Sequence, residues 1–286
     1  MAVYEQSYRR YSGELSRAGS RFLVIPRYAY QRLSGSKLLW ALLVVATVGT
    51  LGAAVFIYVL HNAKILQAFH VEVADRIPID AAFFNIYLSI ELWVGFLLVL
   101  IAGPSLVSMD LANGALPLYF ARPLARSEYV LGKLTVLAAL LSIVTWVYGL
   151  GLFALQATLE GDGWIWHHLR IAAGLFVGSW VWILVMSFLT LALSALIRWP
   201  LAVRGVLLVM FLVLPGFGFA LSNALASPWG HVIDLPVVLE RIVEALMGVE
   251  PELALPAAGA WLAAAAVLGG SFLLLWKKLR AYEVVS

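Results

Sequence analysis

The first place where this sequence could do chemistry is Glu91, the one acidic residue set inside a long apolar stretch, with Tyr87 one helical turn before it and Asn85 close by. At 1.5 Å rise per residue the carboxyl sits about 10 Å in from the near end of that stretch. Facing lipid at mid-membrane would cost on the order of 2 to 3 kcal/mol. Glu91 is therefore expected to face other helices or a wet cavity, sharing a face with Tyr87 at the i, i+4 spacing. It reads as a pathway or gating residue, as a structural hydrogen bond to a neighbouring helix, or as a residue just ahead of a span that begins only after it. The five histidines (His61, His70, His167, His168 and His231) could in principle ligate a metal or sense protons. Their spacing argues against a metal: His167 and His168 are adjacent and cannot share a helix face. Anchoring at an interface beside Trp164 and Trp166 explains that pair. No catalytic set is expected either, since His-Glu-x-x-His, Gly-x-Ser-x-Gly and paired intramembrane carboxylates are all missing from the sequence. Ser34-Gly35-Ser36-Lys37 lacks the spacing of a phosphate-binding loop.

A second group of residues lies between Ser108 and Lys133, reading Ser-Met-Asp-Leu-Ala-Asn-Gly-Ala-Leu-Pro-Leu-Tyr-Phe-Ala-Arg-Pro-Leu-Ala-Arg-Ser-Glu-Tyr-Val-Leu-Gly-Lys. Asn113-Gly114 is a helix stop or turn, because both residues tolerate positive φ. Leu116 to Ala121 is a short apolar and aromatic patch, and Arg122-Pro123 imposes an extended or turned backbone before the next helix. Ser127 is placed to cap that helix, with Glu128 in its first turn. A short, stiff element with exposed apolar residues and flanking arginines suits docking of a partner protein. Tyr119 and Phe120 fit an interfacial aromatic belt equally well.

The elements that must position these residues follow from composition. Of 286 residues, 63% are hydrophobic and 12% charged, with mean hydropathy +0.94. Such a chain must be solvated by lipid, which excludes a soluble enzyme, a nucleic-acid-binding domain and a disordered chain. With no cysteine, the fold uses neither disulfides nor thiolate metal sites. Six apolar stretches are long enough to cross a bilayer: about Leu38 to Leu60, Phe84 to Val107 (broken late by Gly103-Pro104), Leu131 to Ala157, Ile171 to Ile197, Gly205 to Leu221 (ending in Pro215, Gly216 and Gly218) and Pro256 to Trp276. Their unbroken runs fit helices, not barrel strands. The fold class expected is an all-α integral membrane protein: a transmembrane domain over 38–276, an N-terminal segment 1–37 and a tail 277–286.

Charge sets the orientation. The termini and the connections after the second and fourth spans hold 15 of the 19 Lys and Arg, while the opposite side holds four, with ten of the 16 acidic residues. Both termini and the 108–130 connection are thus expected in the cytoplasm, in a cell (inner) membrane. Within 1–37, Phe22, Ile25, Ala29 and Leu33 share a face opposite Arg27 and Gln31, with Arg21 and Arg32 flanking, as in an interfacial amphipathic helix; an ordinary basic juxtamembrane tail is the other reading. On the outer side, 222–255 contains an amphipathic helix from Asp234 to Met247. Asp234 caps it, and Leu235, Val238, Leu239, Ile242 and Leu246 form an apolar stripe with Glu240 and Glu244 opposite. It is expected to be an interfacial, re-entrant or gate-covering element. Gly174-x-x-x-Gly178 permits a close helix contact inside the chain. The connection Arg198 to Arg204 reads equally as a minor contact or as two arginines obeying the charge bias.

The pattern Asp110, Gly114, Leu116, Tyr119 to Pro123, Arg126, Glu128, Gly132 and Lys133 resembles the loop between spans two and three in permeases of the ABC-2 family, membrane subunits of ABC transporters with a type V, exporter-like six-helix architecture. The motif covers about 25 residues; the layout of amphipathic helix, six spans and external segment resembles the family along most of the chain. In that family the loop forms a coupling helix seated in a groove of a separate ATPase. The resemblance implies docking by Leu116, Leu118, Tyr119, Phe120, Arg122 and Arg126, and anchoring by Asp110, Gly114, Pro123, Glu128 and Lys133. It also implies no cofactor on this chain, ATP and Mg on two partner ATPase subunits, and a second identical or related permease copy. An accessory periplasmic protein stays open, as does the cargo. The competing reading is a stand-alone secondary transporter or channel, for which Tyr87, Glu91 and the Pro215 region are the candidates.

Overall fold

The computed structural model describes residues 22–62, 78–120, 125–161, 163–251, 253 and 255–283. Among these there are helices and no strands. In chain order they are α1 (Val24–Leu33), α2 (Lys37–His61), α3 (Ala81–Ala102), α4 (Pro104–Ala112), α5 (Ala115–Phe120), α6 (Arg126–Ser142), α7 (Tyr148–Glu160), α8 (Trp164–His167), α9 (Leu169–Leu196), α10 (Pro200–Leu208), α11 (Leu214–Ala224), α12 (Leu235–Met247) and α13 (Ala257–Glu283). Wide π turns at Ile143–Val147 and Val209–Val213 join α6 to α7 and α10 to α11, and a 3₁₀ turn covers Pro228–Ile233. Six of the resulting rods are long and apolar enough to cross a membrane: Lys37–His61, Ala81–Ala112, Arg126–Glu160, Leu169–Leu196, Pro200–Ala224 and Ala257–Arg280. That is the build of a multi-pass membrane protein.

The fourth span, α9, is the axis of the bundle. Two thirds of its apolar window (67%) is covered by other helices, against 11% for the first span and 17% for the fifth. It packs on α4, α6, α12 and α13. The first and fifth spans therefore lie at the rim, where Val44, Val48, Leu51 and Val55 of one and Leu212, Phe217 and Phe219 of the other remain exposed.

The fifth span carries Pro215, Gly216 and Gly218 within it and runs to Ala224, three residues beyond the expected Leu221. The π turn just before Pro215 shifts the hydrogen-bond register. The proline then falls in the first turn of α11, where a missing N–H costs least. The span also starts earlier, at Pro200, so that Arg204 lies on a helix and the preceding connection shrinks to Ile197, Arg198 and Trp199.

The second span does bend at Gly103-Pro104, and the bend is held from outside. Pro104 has no N–H for the carbonyl four residues back, that of Leu100; Arg204 Nε donates to that oxygen instead, at 2.9 Å. The next turn is joined by Ser194 of α9. Its hydroxyl donates to the Pro104 carbonyl (2.8 Å) and accepts from the N–H groups of Ser108 (2.8 Å) and Val107 (3.2 Å). A side-chain hydroxyl from the fourth span thus shares the first polar groups of α4.

The outer segment folds into the bundle. Asp234 caps α12, accepting from the Val237 N–H at 3.2 Å, although burial pushes its carboxyl above the ordinary value against the opposing pull of that N–H and of His231. The helix is seated on the glycine pair of α9: a Cβ at Gly174 would lie 2.4 Å from Met247 Cγ, and one at Gly178 would lie 3.1 Å from Val243 Cγ2. The buried stripe accordingly runs through Val243 and Met247, with Leu246 only half-buried. Glu244, expected on the wet side, is buried, with Arg241 Nη1 3.7 Å away. Arg170 closes the far end of α12, donating to the carbonyls of Ala245 (3.0 Å) and Leu246 (3.1 Å).

Two outcomes check this packing. Gly174→Leu drives atoms into Met247 and is expected to lower stability by about 1–3 kcal/mol, whereas Gly151→Leu, where nothing stands within 4 Å, leaves thermal unfolding in detergent unchanged. Arg204→Met is expected to cost about 1 kcal/mol in the natural chain and less in a Pro104→Ala background, where residue 104 regains the N–H that Leu100 lacks; unfolding of the four proteins measures the difference.

Candidate functional site

The candidate site is built on the far side of the bend. α4 carries Asp110 and ends at Ala112. Gly114, at φ +63°, takes the left-handed conformation that closes the turn, while Asn113 stays at φ −91°. α5 follows at once, packed on α4 and α13. Its Leu116 is 1% exposed, so within α5 this residue is an anchor and the expected exposed apolar patch does not include it. Tyr119 is half-buried, with its ring 5.7 Å from that of Tyr129; burial first, and the Asp110 carboxylate second, push its hydroxyl above the usual phenol value and keep it neutral.

Three groups then tie this element to the third span. Lys133 Nζ lies 2.7 Å from Asp110 Oδ2, and the Tyr129 hydroxyl donates to the same oxygen at 2.8 Å. The Lys133 ammonium stands 5.4 Å over the Tyr129 ring. At the start of α6 the cap differs from the sequence reading: Ala125 is the N-cap residue, Glu128 Oε2 accepts its N–H at 2.7 Å, and Ser127 lies in the first turn. Glu128 supplies half of a capping box. Arg126 is half-buried and lies 5.6 Å over the Trp276 ring, joining α6 to the end of the sixth span.

The amphipathic α1 closes the site from the side. Pro26 and Leu33 are buried, Ile25 and Ala29 half-buried, and Arg27 and Gln31 exposed, the arrangement its periodicity predicts. It packs on α6, the Tyr30 hydroxyl donating to the Val136 carbonyl at 2.8 Å. The Arg32 guanidinium meets the Met109 sulfur on α4.

Of the residues singled out from sequence, Asp110, Gly114, Leu116, Tyr119, Arg126, Glu128 and Lys133 come together at this one end of the bundle. Arg122 and Pro123, the side chains of Leu118 and Phe120, and Arg21 lie outside the described residues. Tyr129, Arg204 and Ser194 were missed. Tyr129 stands one helical turn before Lys133, a spacing that could have flagged it, and the orphan carbonyl behind Pro104 called for a donor; nothing local marks Ser194.

Glu91 lies elsewhere, in the half of the bundle away from α1. It is 2% exposed and faces α2, with Oε1 3.4 Å from the Thr50 hydroxyl, which is 2.9 Å from the Tyr87 hydroxyl. Tyr87 and Glu91 do share a face, and that face meets a helix. Thr47 and Tyr148, 2.8 Å apart, continue the polar line between the first and third spans. Near the same outer end, His61 Nε2 lies 3.1 Å from Glu160. His168 stacks on Trp164 at 4.2 Å, and His70 is outside the described residues.

Compared with models of known protein families and with curated proteins, the sequence has no match.

The buried ion pair yields a direct test. Asp110→Asn leaves Lys133 without its carboxylate and is expected to cost on the order of 3 kcal/mol. Replacing both, as Asp110→Asn with Lys133→Met, recovers part of the loss in thermal unfolding.

Proposed function

We propose that this chain is the membrane subunit of an ATP-driven transporter, an ABC-2-like permease of exporter type, moved through its 108–130 segment by a separate ATPase. The observation that carries this reading is the short α5, set off from the bent second span by Gly114 and locked to the third span through Asp110, Tyr129 and Lys133. A push on such an element reaches two spans at once. It stands at the end of the bundle where the arginines gather, and the distribution of 15 basic residues against four supports reading that end as the cytoplasmic face.

In this reading Tyr119, Arg126 and the adjoining Leu118, Phe120 and Arg122 meet the ATPase, while Leu116, Asp110, Glu128 and Lys133 hold the element in place. ATP and Mg act on the partner. Two permease copies complete the pathway, and the sparsely covered first and fifth spans leave apolar faces for lipid or for that second copy. Glu91 and Tyr87, closed against Thr50, serve as a helix contact or a gate on the outer half.

The experiment is affinity purification of the full chain from its native membrane, with co-purifying ATP-binding-cassette ATPases identified. The expected result is a stable complex that Tyr119→Asp and Arg122→Glu each abolish without unfolding the permease. Transport by the isolated chain in vesicles, with no ATPase present, contradicts the proposal.

A further inference from the structure

Between α1, α4, α5 and α6 lies a cavity of about 360 Å³ whose lining is both charged and apolar. Its charged groups are Arg32, Asp110 and Lys133, a net charge of +1, and its apolar wall includes Ile25 and Leu106. Lys133 is 7% exposed and pairs with Asp110, which one of its three donors can serve. Arg32 is placed differently: a planar fork of five donors at the mouth of the cavity, set against the sulfur of Met109, a weak acceptor. An anion between Arg32 and Lys133 would take the forked donors, as phosphate oxygens do, and would offset the extra positive charge.

The depth of the cavity narrows the choice of anion. Arg32 stands five residues before the first span begins at Lys37, and Lys133 lies about two turns into the third-span helix that starts at Arg126. The cavity is therefore at the level where a bilayer places its headgroups, beside an amphipathic helix whose apolar face points the same way.

We propose that this cavity binds one anionic glycerophospholipid, its phosphate on Arg32 and Lys133 and an acyl chain along Ile25 and Leu106. A choline or ethanolamine headgroup would bring a second cation to a site that already carries an excess one, so phosphatidylglycerol is preferred over phosphatidylcholine. The lipid joins α1 to the α4–α5–α6 unit. The proposal is independent of the ATPase reading and is tested without any ATPase.

The measurement is native mass spectrometry of the full chain released from nanodiscs of phosphatidylglycerol or of phosphatidylcholine. One phosphatidylglycerol per chain is expected to survive release, with retention about tenfold above that of phosphatidylcholine; loss of a charge-assisted hydrogen bond in Arg32→Gln lowers it by about the same factor. Arg27→Gln, on the exposed face of α1, leaves retention unchanged, and Ala29→Trp, which fills the cavity and keeps its charges, abolishes it. Equal retention of the two lipids by the natural chain overturns the proposal, as does full retention by either cavity variant. Displacement of the lipid by millimolar inorganic phosphate would make this a site for free anions, and would equally overturn it.

Discussion

Pro104 cannot give the Leu100 carbonyl a hydrogen bond, and in a lipid environment that carbonyl must still have one. Arg204 supplies it from the fifth span, while Ser194 of the fourth bonds the Pro104 carbonyl and the Ser108 N–H of the following turn. Three spans therefore meet at one defect of the second. The bend they hold sets the direction of α4, and α4 carries Asp110. There Asp110 meets Lys133 and Tyr129 of the third span. The candidate site thus follows directly on the turn where one missing N–H is made good.

Beyond the bend, the same end of the bundle is joined by contacts of mixed kind. The Asp110–Lys133 pair is short and largely buried, and the Tyr129 hydroxyl adds a second donor to one carboxylate oxygen; such a pair fixes geometry more than it adds stability, because desolvation offsets most of the attraction. Leu116 supplies apolar anchoring for α5, and Arg126 reaches Trp276 at the end of the sixth span. At the other end, two glycines of α9 let α12 approach, and Arg170 satisfies its last carbonyls. The two described basic residues of the sparsely basic side, Arg170 and Arg241, are both engaged with carbonyl oxygens. That is a structural reason for charges to stand against the general bias.

The spans were legible because lipid admits few solutions: a backbone that must satisfy itself over about 20 apolar residues is a helix. Local chemistry was legible too. Asp234 caps α12 and Gly114 takes positive φ, each requirement residing in one or two residues. What escaped the sequence depends on partners far along the chain. The π turn that sets Pro215 in the first turn of α11 is announced by no composition, and the burial of Glu244 is decided by which side of α12 meets α9. Within the candidate site, Asp110 and Lys133 were visible as charges at the right end, but their pairing, and the 86 residues between Ser108 and Ser194, are tertiary facts. Leu116 looked exposed because its neighbours are turn-formers; the packing of α5 on α4 and α13 buries it.

The central claim is that α5 and the start of α6 face the cytoplasm and are covered by an ATPase. The chain has no cysteine, so single cysteines can be read without background. Ser127→Cys, on the exposed rim of this site, and Glu250→Cys, exposed beyond α12, are labelled with a membrane-impermeant maleimide in sealed vesicles of each orientation, with and without the co-purified ATPase. The account predicts that Ser127→Cys reacts only from the cytoplasmic side and is shielded when the ATPase is bound, while Glu250→Cys reacts only from the other side in either case. Labelling of both positions from one side, or of Ser127→Cys at an undiminished rate in the complex, would contradict it.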